Sequence, residues 1–411
     1  MSNSSPLPPV PVPPHVPAEL VIDFDFFAPP GADEDIHLAW KRLQSEAPPI
    51  CWTPRNGGHW MALRGELIKE IQLDHERFSH REFIVPVDPN RDFVALPLGV
   101  DPPEHTKYRR LIAPAFLPKV VNALEARVRQ IAVELVEGLA PRGECDFIAD
   151  FARHLPITVF MEMVNLPMSD REMLLEWAED VVRNGAIEAR RAAQMKMHGY
   201  LAGWIEQRRR NPGEDLISKI VHSTVDDRPI TESELFSVLA LLLFGGLDTV
   251  ASMMGFIARY LAMHPEHRRE LLEHPENHRN AVEELIRRHG VSSTSRYITH
   301  DFDFHGVAFK EADMIYLTNM LYGLDERIND EPTKVDFHRE DIRLAAFGNG
   351  PHTCPGAVLA RRELMVFVEE WLPRIPEFQI KPGTKPLLIP GYVNGVERLE
   401  LVWDPATTRS I

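Results

Sequence analysis

The chain has 411 residues, a formal net charge of −16, 44% hydrophobic residues and three cysteines. That charge argues against nucleic acid or an anionic membrane as a partner. Cys51, Cys145 and Cys354 are too few and too scattered for a disulfide framework and suit a reducing compartment. With no apolar run near the roughly 20 residues of a membrane span, and no signal peptide, a soluble cytoplasmic protein is expected.

Residues 6–17 are proline-rich and read as an extended arm laid on the surface. A short strand is expected at 59–63. Pro102 and Pro103 start a helix on which His105 and Arg109, four apart, share one face; taken alone, that pair is a solvated basic face. Leu124, Val128, Ile131 and Leu135 then recur at alternating four- and three-residue steps, the apolar stripe of a helix packed on a core.

The most informative helix begins at Thr231, which forms a capping box with Glu234, while Ile230 and Leu235 close a hydrophobic staple across it. Residues 238–244 are apolar on every side, so this helix is buried. Inside it lie Gly245 and Gly246, poor helix formers, followed by Leu247, Asp248 and Thr249. A buried carboxylate is costly without partners or a task. The bland alternative is that Thr249 bonds back to the Gly245 carbonyl and merely bends the helix.

Glu284 and Arg287 face each other at i, i+3 spacing, by themselves a surface ion pair worth well under about 1 kcal/mol. Strands are expected within 297–309 and 399–402. Between them, Cys354 precedes an amphipathic helix at 357–372. First-turn amides and the helix dipole favour an ionised sulfur there, one able to hold a metal without a second charged partner. The flanking Gly350 and Gly356 let the backbone approach a flat ligand closely. A lone cysteine is otherwise most often a small buried hydrophobe. Long helices with short strands imply a mainly α architecture with small peripheral β-sheets.

The spacing of Phe347, Gly350, Cys354 and Gly356 resembles the haem-binding loop of the cytochrome P450 family. His352 stands where most of that family has arginine, as in the branch holding the bacterial camphor hydroxylase. The likeness runs from Pro13-Pro14-His15-Val16-Pro17 to Leu401-Val402-Trp403 and the residues after it. It implies a triangular, mostly helical cytochrome P450 fold, with residues 1–411 as a single domain and the arm at about residues 1–20. It also implies haem b with Cys354 as its axial iron ligand, a thiolate that pushes electron density toward O–O cleavage. Asp248 and Thr249 match the acid–alcohol pair that delivers protons to dioxygen at the haem. His105, Arg109, Arg296 and His352 match the propionate partners, although the branch has a neutral amide at the place of His105. Glu284 and Arg287 match a buried structural lock completed by Arg339.

By the same resemblance, Phe93, Leu96, Leu241, Phe244, Val291, Thr294, Tyr392 and Val393 line the substrate pocket. Phe93 replaces the tyrosine whose hydroxyl holds camphor, so a site without that donor loses the discrimination it provides. Arg91 replaces an acid of the relative's cation site, so no cation is expected there. The expected reaction is hydroxylation of a small apolar terpenoid or norisoprenoid with O2. Its electrons come from a [2Fe–2S] ferredoxin fed by an NADH-dependent reductase, and the enzyme acts as a monomer. Lys107, Arg110, Arg339, Arg343, Arg361 and Arg362 are candidates for a basic docking patch. Two other functions remain open on the sequence: a peroxide-driven peroxygenase, against which the Asp248–Thr249 pair speaks, and a haem-thiolate sensor without turnover.

Overall fold

A computed structural model of the chain describes residues 8–88, 94–183 and 186–409 and shows long helices with small sheets beside them. Strands β1 (Ile50–Thr53), β2 (His59–Ala62), β3 (Phe78–Ser79), β4 (Ser293–Ile298) and β5 (Met314–Thr318) form one sheet in the order β1-β2-β5-β4-β3. β2 and β5 run parallel; the other neighbours are antiparallel. The short strands expected within 297–309 are three. Ile298 ends β4, and a hairpin follows at Phe302–Phe304 and Val307–Phe309, turned by His305 and Gly306 at φ 51° and 80°. The proline-rich arm lies on the main sheet. Val10 N–H donates to the Pro54 carbonyl at 2.9 Å, His15 pairs with Asp313 at 3.0 Å, and Val16 is buried.

Seven helices carry the argument: α1 (Glu104–Ile112), α2 (Pro118–Leu139), α3 (Ile187–Arg210), α4 (Glu232–Leu247), α5 (Thr249–Met263), α6 (His278–Arg288) and α7 (Ala357–Arg374). α2 packs along α7 with Val128 and Ile131 buried and Leu124 and Leu135 half-buried against the core. The capping box forms as expected, with Thr231 N–H donating to the Glu234 carboxylate at 2.7 Å and Glu234 N–H to the Thr231 hydroxyl at 3.3 Å. Ile230 and Leu235 are both buried. α4 stops at Leu247, and Asp248, at φ −122° and ψ −31°, is the joint from which α5 starts. Among the described residues, no helix is long and apolar enough to cross a membrane.

The Glu284–Arg287 pair is no surface contact, since neither side chain has any exposure. Arg287 makes two bonds of 2.7 Å to the Glu284 carboxylate and spends its remaining N–H groups on the carbonyls of Gly323, Pro332 and Lys334. Arg339 adds contacts of 3.1 and 3.2 Å to the same carboxylate. Arg339 therefore belongs to this lock, and its place in the expected docking patch is withdrawn: its side chain is 12% exposed because Glu284 holds it inward. Breaking one partner of a buried ion pair strands the others in low dielectric at about 3–5 kcal/mol. Glu284→Ala should lower the unfolding free energy by about that amount in chemical denaturation. An unchanged midpoint would contradict the lock.

Candidate active site

The loop before α7 is shaped by two glycines in the left-handed region, Gly348 at φ +73° and Gly350 at φ +71°. At Gly350 a side chain would also collide, since a Cβ there would lie 3.0 Å from the Gln72 carbonyl oxygen. The loop closes on itself through Cys354 N–H to Phe347 O at 2.8 Å and Thr353 N–H to Gly350 O at 3.1 Å. This sets the Cys354 sulfur among the amides of Gly356 and Ala357 and the guanidinium groups of Arg109 and Arg361, all of which favour thiolate. Burial opposes them and prevails, so the thiol lies above its ordinary pKa. The expectation that the helix end favours the ionised sulfur without a second charged partner is corrected in one respect: the guanidinium groups of Arg109 and Arg361 stand beside it.

Cys354 is nonetheless accessible, because its surface opens onto an internal cavity of about 310 Å³. α7 contributes Leu359, Ala360 and Glu363 on the cysteine side; Gly245, Gly246 and Thr249 face them from the α4–α5 joint. Gly246 is required by close packing, since a Cβ would approach the Phe160 ring to 2.7 Å. Thr249 does bond back to Gly245 O, at 3.1 Å. Asp248 is buried at 3% exposure and is not among the residues lining the cavity.

One end of the cavity is rich in nitrogen. Arg109 donates to the Thr353 carbonyl. Buried Arg296 donates through Nη1 to Thr294 Oγ1 at 2.8 Å and to the Ser295 carbonyl at 2.9 Å. Burial pulls its pKa down to about 9, with Asp101 opposing. The His352 ring lies 3.7 Å from the His80 ring and 4.4 Å from that of His105, centroid to centroid. Burial holds His105 down to about 4 and lowers His80 and His352 as well, which favours the neutral form of each imidazole. Both ring nitrogens of His80 and of His352, and Nε2 of His105, are buried without a hydrogen-bond partner. The nearest carboxylate, Asp101, stands 3.6 Å from His352 Nε2, beyond hydrogen-bonding reach. Buried donors without acceptors are rare in folded proteins. A flat group with two carboxylates and a thiolate-binding metal meets these requirements at once, so the residues present fit haem.

Of the expected pocket residues, Leu241, Val291 and Thr294 line the cavity. Leu96, Tyr392 and Val393 are buried but do not line it. Tyr392 is corrected to a core residue: its hydroxyl meets Ser295 Oγ at 2.9 Å and accepts from Val85 N–H, and its ring packs between Phe26 and Tyr316. Val393 is held by an isolated bridge to Ser292, and Leu96 gives way to its neighbours Pro97 and Leu98. Phe93, Arg91 and the side chain of Phe244 lie outside the described residues.

The motifs missed several cavity residues. Phe160, Val238, Leu242 and Val250 extend the apolar wall. Gln72 links Asn319 and Asn349 through bonds of 2.7 Å each. Glu363 is fully enclosed, and burial pushes its carboxyl up to about 8. His80 is brought in by sheet register, since Ser79 pairs with Tyr297, His80 follows Ser79 just beyond β3, and Arg296 precedes Tyr297 on β4.

Residues 156–393 match the family model described as Cytochrome P450. Over 402 residues the chain is 34% identical to "Probable cytochrome P450 127A1" of Sinorhizobium fredii, covering 96% of this chain and 97% of that one. The crystal structure of CYP101J2 superposes with a TM-score of 0.88 at 36% identity, and that of CYP101C1 with 0.86 at 39%. Each covers 96% of this chain and 100% of the other. The chain belongs to the cytochrome P450 family, whose members are haem b monooxygenases. Within it, this is a bacterial enzyme of the camphor-hydroxylase-like CYP101 branch.

Glu363 gives a testable pH dependence. Its folded pKa, about 8, is raised above that of an unfolded carboxyl, so its stabilising contribution is complete below the unfolded value and is lost as pH rises through 8. Glu363→Gln should therefore gain stability over the parent between about pH 5 and about pH 8, on the order of a few kcal/mol at the alkaline end. Denaturation midpoints of the haem-bound proteins across that range check it; a constant difference would contradict it.

Proposed function

We propose that this monooxygenase hydroxylates a small apolar terpenoid or norisoprenoid at an unactivated C–H bond. The observation that carries this reading is a single cavity bounded by Cys354, Thr249 and the Arg109–Arg296–histidine end, with an apolar wall elsewhere. Haem, when bound, supplies dioxygen activation, so that one oxygen atom enters the C–H bond and the other leaves as water after two protons and two electrons are taken up.

Each residue then has a part. Cys354 would hold the haem iron through its sulfur, and the Gly356 and Ala357 amides would temper that sulfur's electron density; Pro355, with no N–H, adds nothing to them. His105, Arg109, Arg296 and His352 would hold the two haem carboxylates. Leu241, Val291 and Thr294, with Val238, Leu242 and Val250, orient the substrate by shape and exclude water. Thr249 donates to Gly245 O and keeps lone pairs to receive a water's proton at the cavity edge. Asp248, the next residue back and buried at the helix joint, resupplies that proton.

Electrons are proposed to come from a [2Fe–2S] ferredoxin reduced by an NADH-dependent reductase. Four of the docking candidates hold acids of the chain: Lys107 with Glu104 and Asp226, Arg343 with Asp341, Arg361 with Glu283 and Arg362 with Glu125. Arg110 is exposed. The Arg343 pair is exposed and the others are half-buried; exposed pairs are worth roughly 0–1 kcal/mol, so a partner's carboxylates can exchange most readily at Arg343.

Three measurements test this reading. Reduced protein under carbon monoxide should show the red-shifted Soret band of thiolate-bound haem, and Cys354→Ala should abolish it; a mutant that keeps the band has another ligand. Thr249→Ala should keep consuming NADH while releasing hydrogen peroxide in place of hydroxylated product, and unchanged coupling would remove Thr249 from proton delivery. Titration with compact terpenoid ketones should shift the haem from low to high spin as the iron-bound water leaves. A shift with polar or charged compounds alone would overturn the substrate class.

A further inference from the structure

His80 is 1% exposed, lines the same cavity as Cys354 and Arg296, and has no hydrogen-bond partner for either ring nitrogen. A neutral imidazole always carries one N–H, and burying that donor unpaired costs about 1–3 kcal/mol. Packing alone does not call for this cost, because a phenylalanine would lie against His352 equally well. None of the groups around His80 is placed to accept from its ring. Arg109 and Arg296 are donors, and the ring nitrogens of His352 and Nε2 of His105 lack partners of their own. Asp101 already accepts from the Ser79 hydroxyl and, at 3.0 Å, from the backbone N–H of His80 itself.

We propose that His80 is a fifth haem-holding residue of this chain, donating its imidazole N–H to a carboxylate of the bound haem. The inference rests on the haem site proposed above and adds a residue that no motif in the sequence marks. Its chemistry differs from that of the arginines. Burial first, and Arg296 beside it, favour the uncharged form of His80, which supplies a directional donor without a further positive charge to desolvate. Its ring also backs that of His352, at 3.7 Å and 31° between planes. Holding the carboxylate therefore orients both imidazoles together.

The test separates donor from ring. His80→Phe keeps a ring against His352 without an N–H; His80→Asn keeps a donor without the ring. In the ferric holoenzyme, haem transfer to excess apomyoglobin should be roughly ten- to a hundredfold faster for His80→Phe, the range expected when a hydrogen bond to a charged group is lost. The propionate bending band in resonance Raman should shift as well. His80→Asn should stay near the parent on both readouts. If His80→Phe does not fold by circular dichroism, His80→Ala takes its place with the same expectation. Parent-like haem loss and an unmoved band in the donor-free variant would overturn the proposal. Equal loss from the Phe and Asn variants would overturn it too, by showing that only the original packing matters. The carbon monoxide spectrum of the parent distinguishes the levels: with a thiolate band present, a negative result counts against His80 alone, and without one the haem-thiolate reading fails and this inference with it.

Discussion

Arg296 sits inside the protein with a threonine hydroxyl and a backbone carbonyl on Nη1 and, among the described residues, no carboxylate paired with it. Around it stand three histidines with buried ring nitrogens that lack partners. A protein interior tolerates a guanidinium when an anion shares its field, and removing that anion costs several kcal/mol. The arrangement is thus half of an interaction. The need for a dianionic partner at this end, with a metal at the cysteine end, fixes the orientation of the bound group.

The opposite wall follows from a second conflict, between helix continuity and access. α4 is buried on all sides and begins with a complete capping box, so its start is firmly set. Four turns later the chain carries two glycines, one of them packed on Phe160 so closely that no side chain fits. The helix ends at Leu247 and resumes at Thr249, which leaves a hydroxyl at the cavity edge and an acid at the joint. A continuous helix would fill this space with side chains. Stability contributed by the capping box and the Glu284 lock, both remote from the cavity, offsets the cost of the break.

How much of this was legible depended on whether the signal was local. The Cys354 loop, the capping box and the Gly245–Thr249 break are contiguous in sequence, and each stands in the structure where it was read. β1 and β5 are buried along their whole length, so they show none of the alternation that marks a half-buried strand. His80 was invisible because strand register, not spacing, carries it to Arg296. Tyr392 was misplaced since its hydroxyl is taken by Ser295 and Val85, 97 and 307 residues away in the chain. The docking patch counted bases without their acids: Glu283 for Arg361 and Glu125 for Arg362 come from other helices.

The central claim is that Cys354 would hold the iron, and the nitrogen-rich end the two carboxylates, of one haem. A crystal structure of the holoenzyme with anomalous data at the iron absorption edge tests it most directly. The account predicts one iron peak bonded to the Cys354 sulfur, with both haem carboxylates enclosed by Arg109, Arg296 and the histidine cluster. An iron held by another side chain, or carboxylates turned away from Arg296 toward solvent, would contradict it.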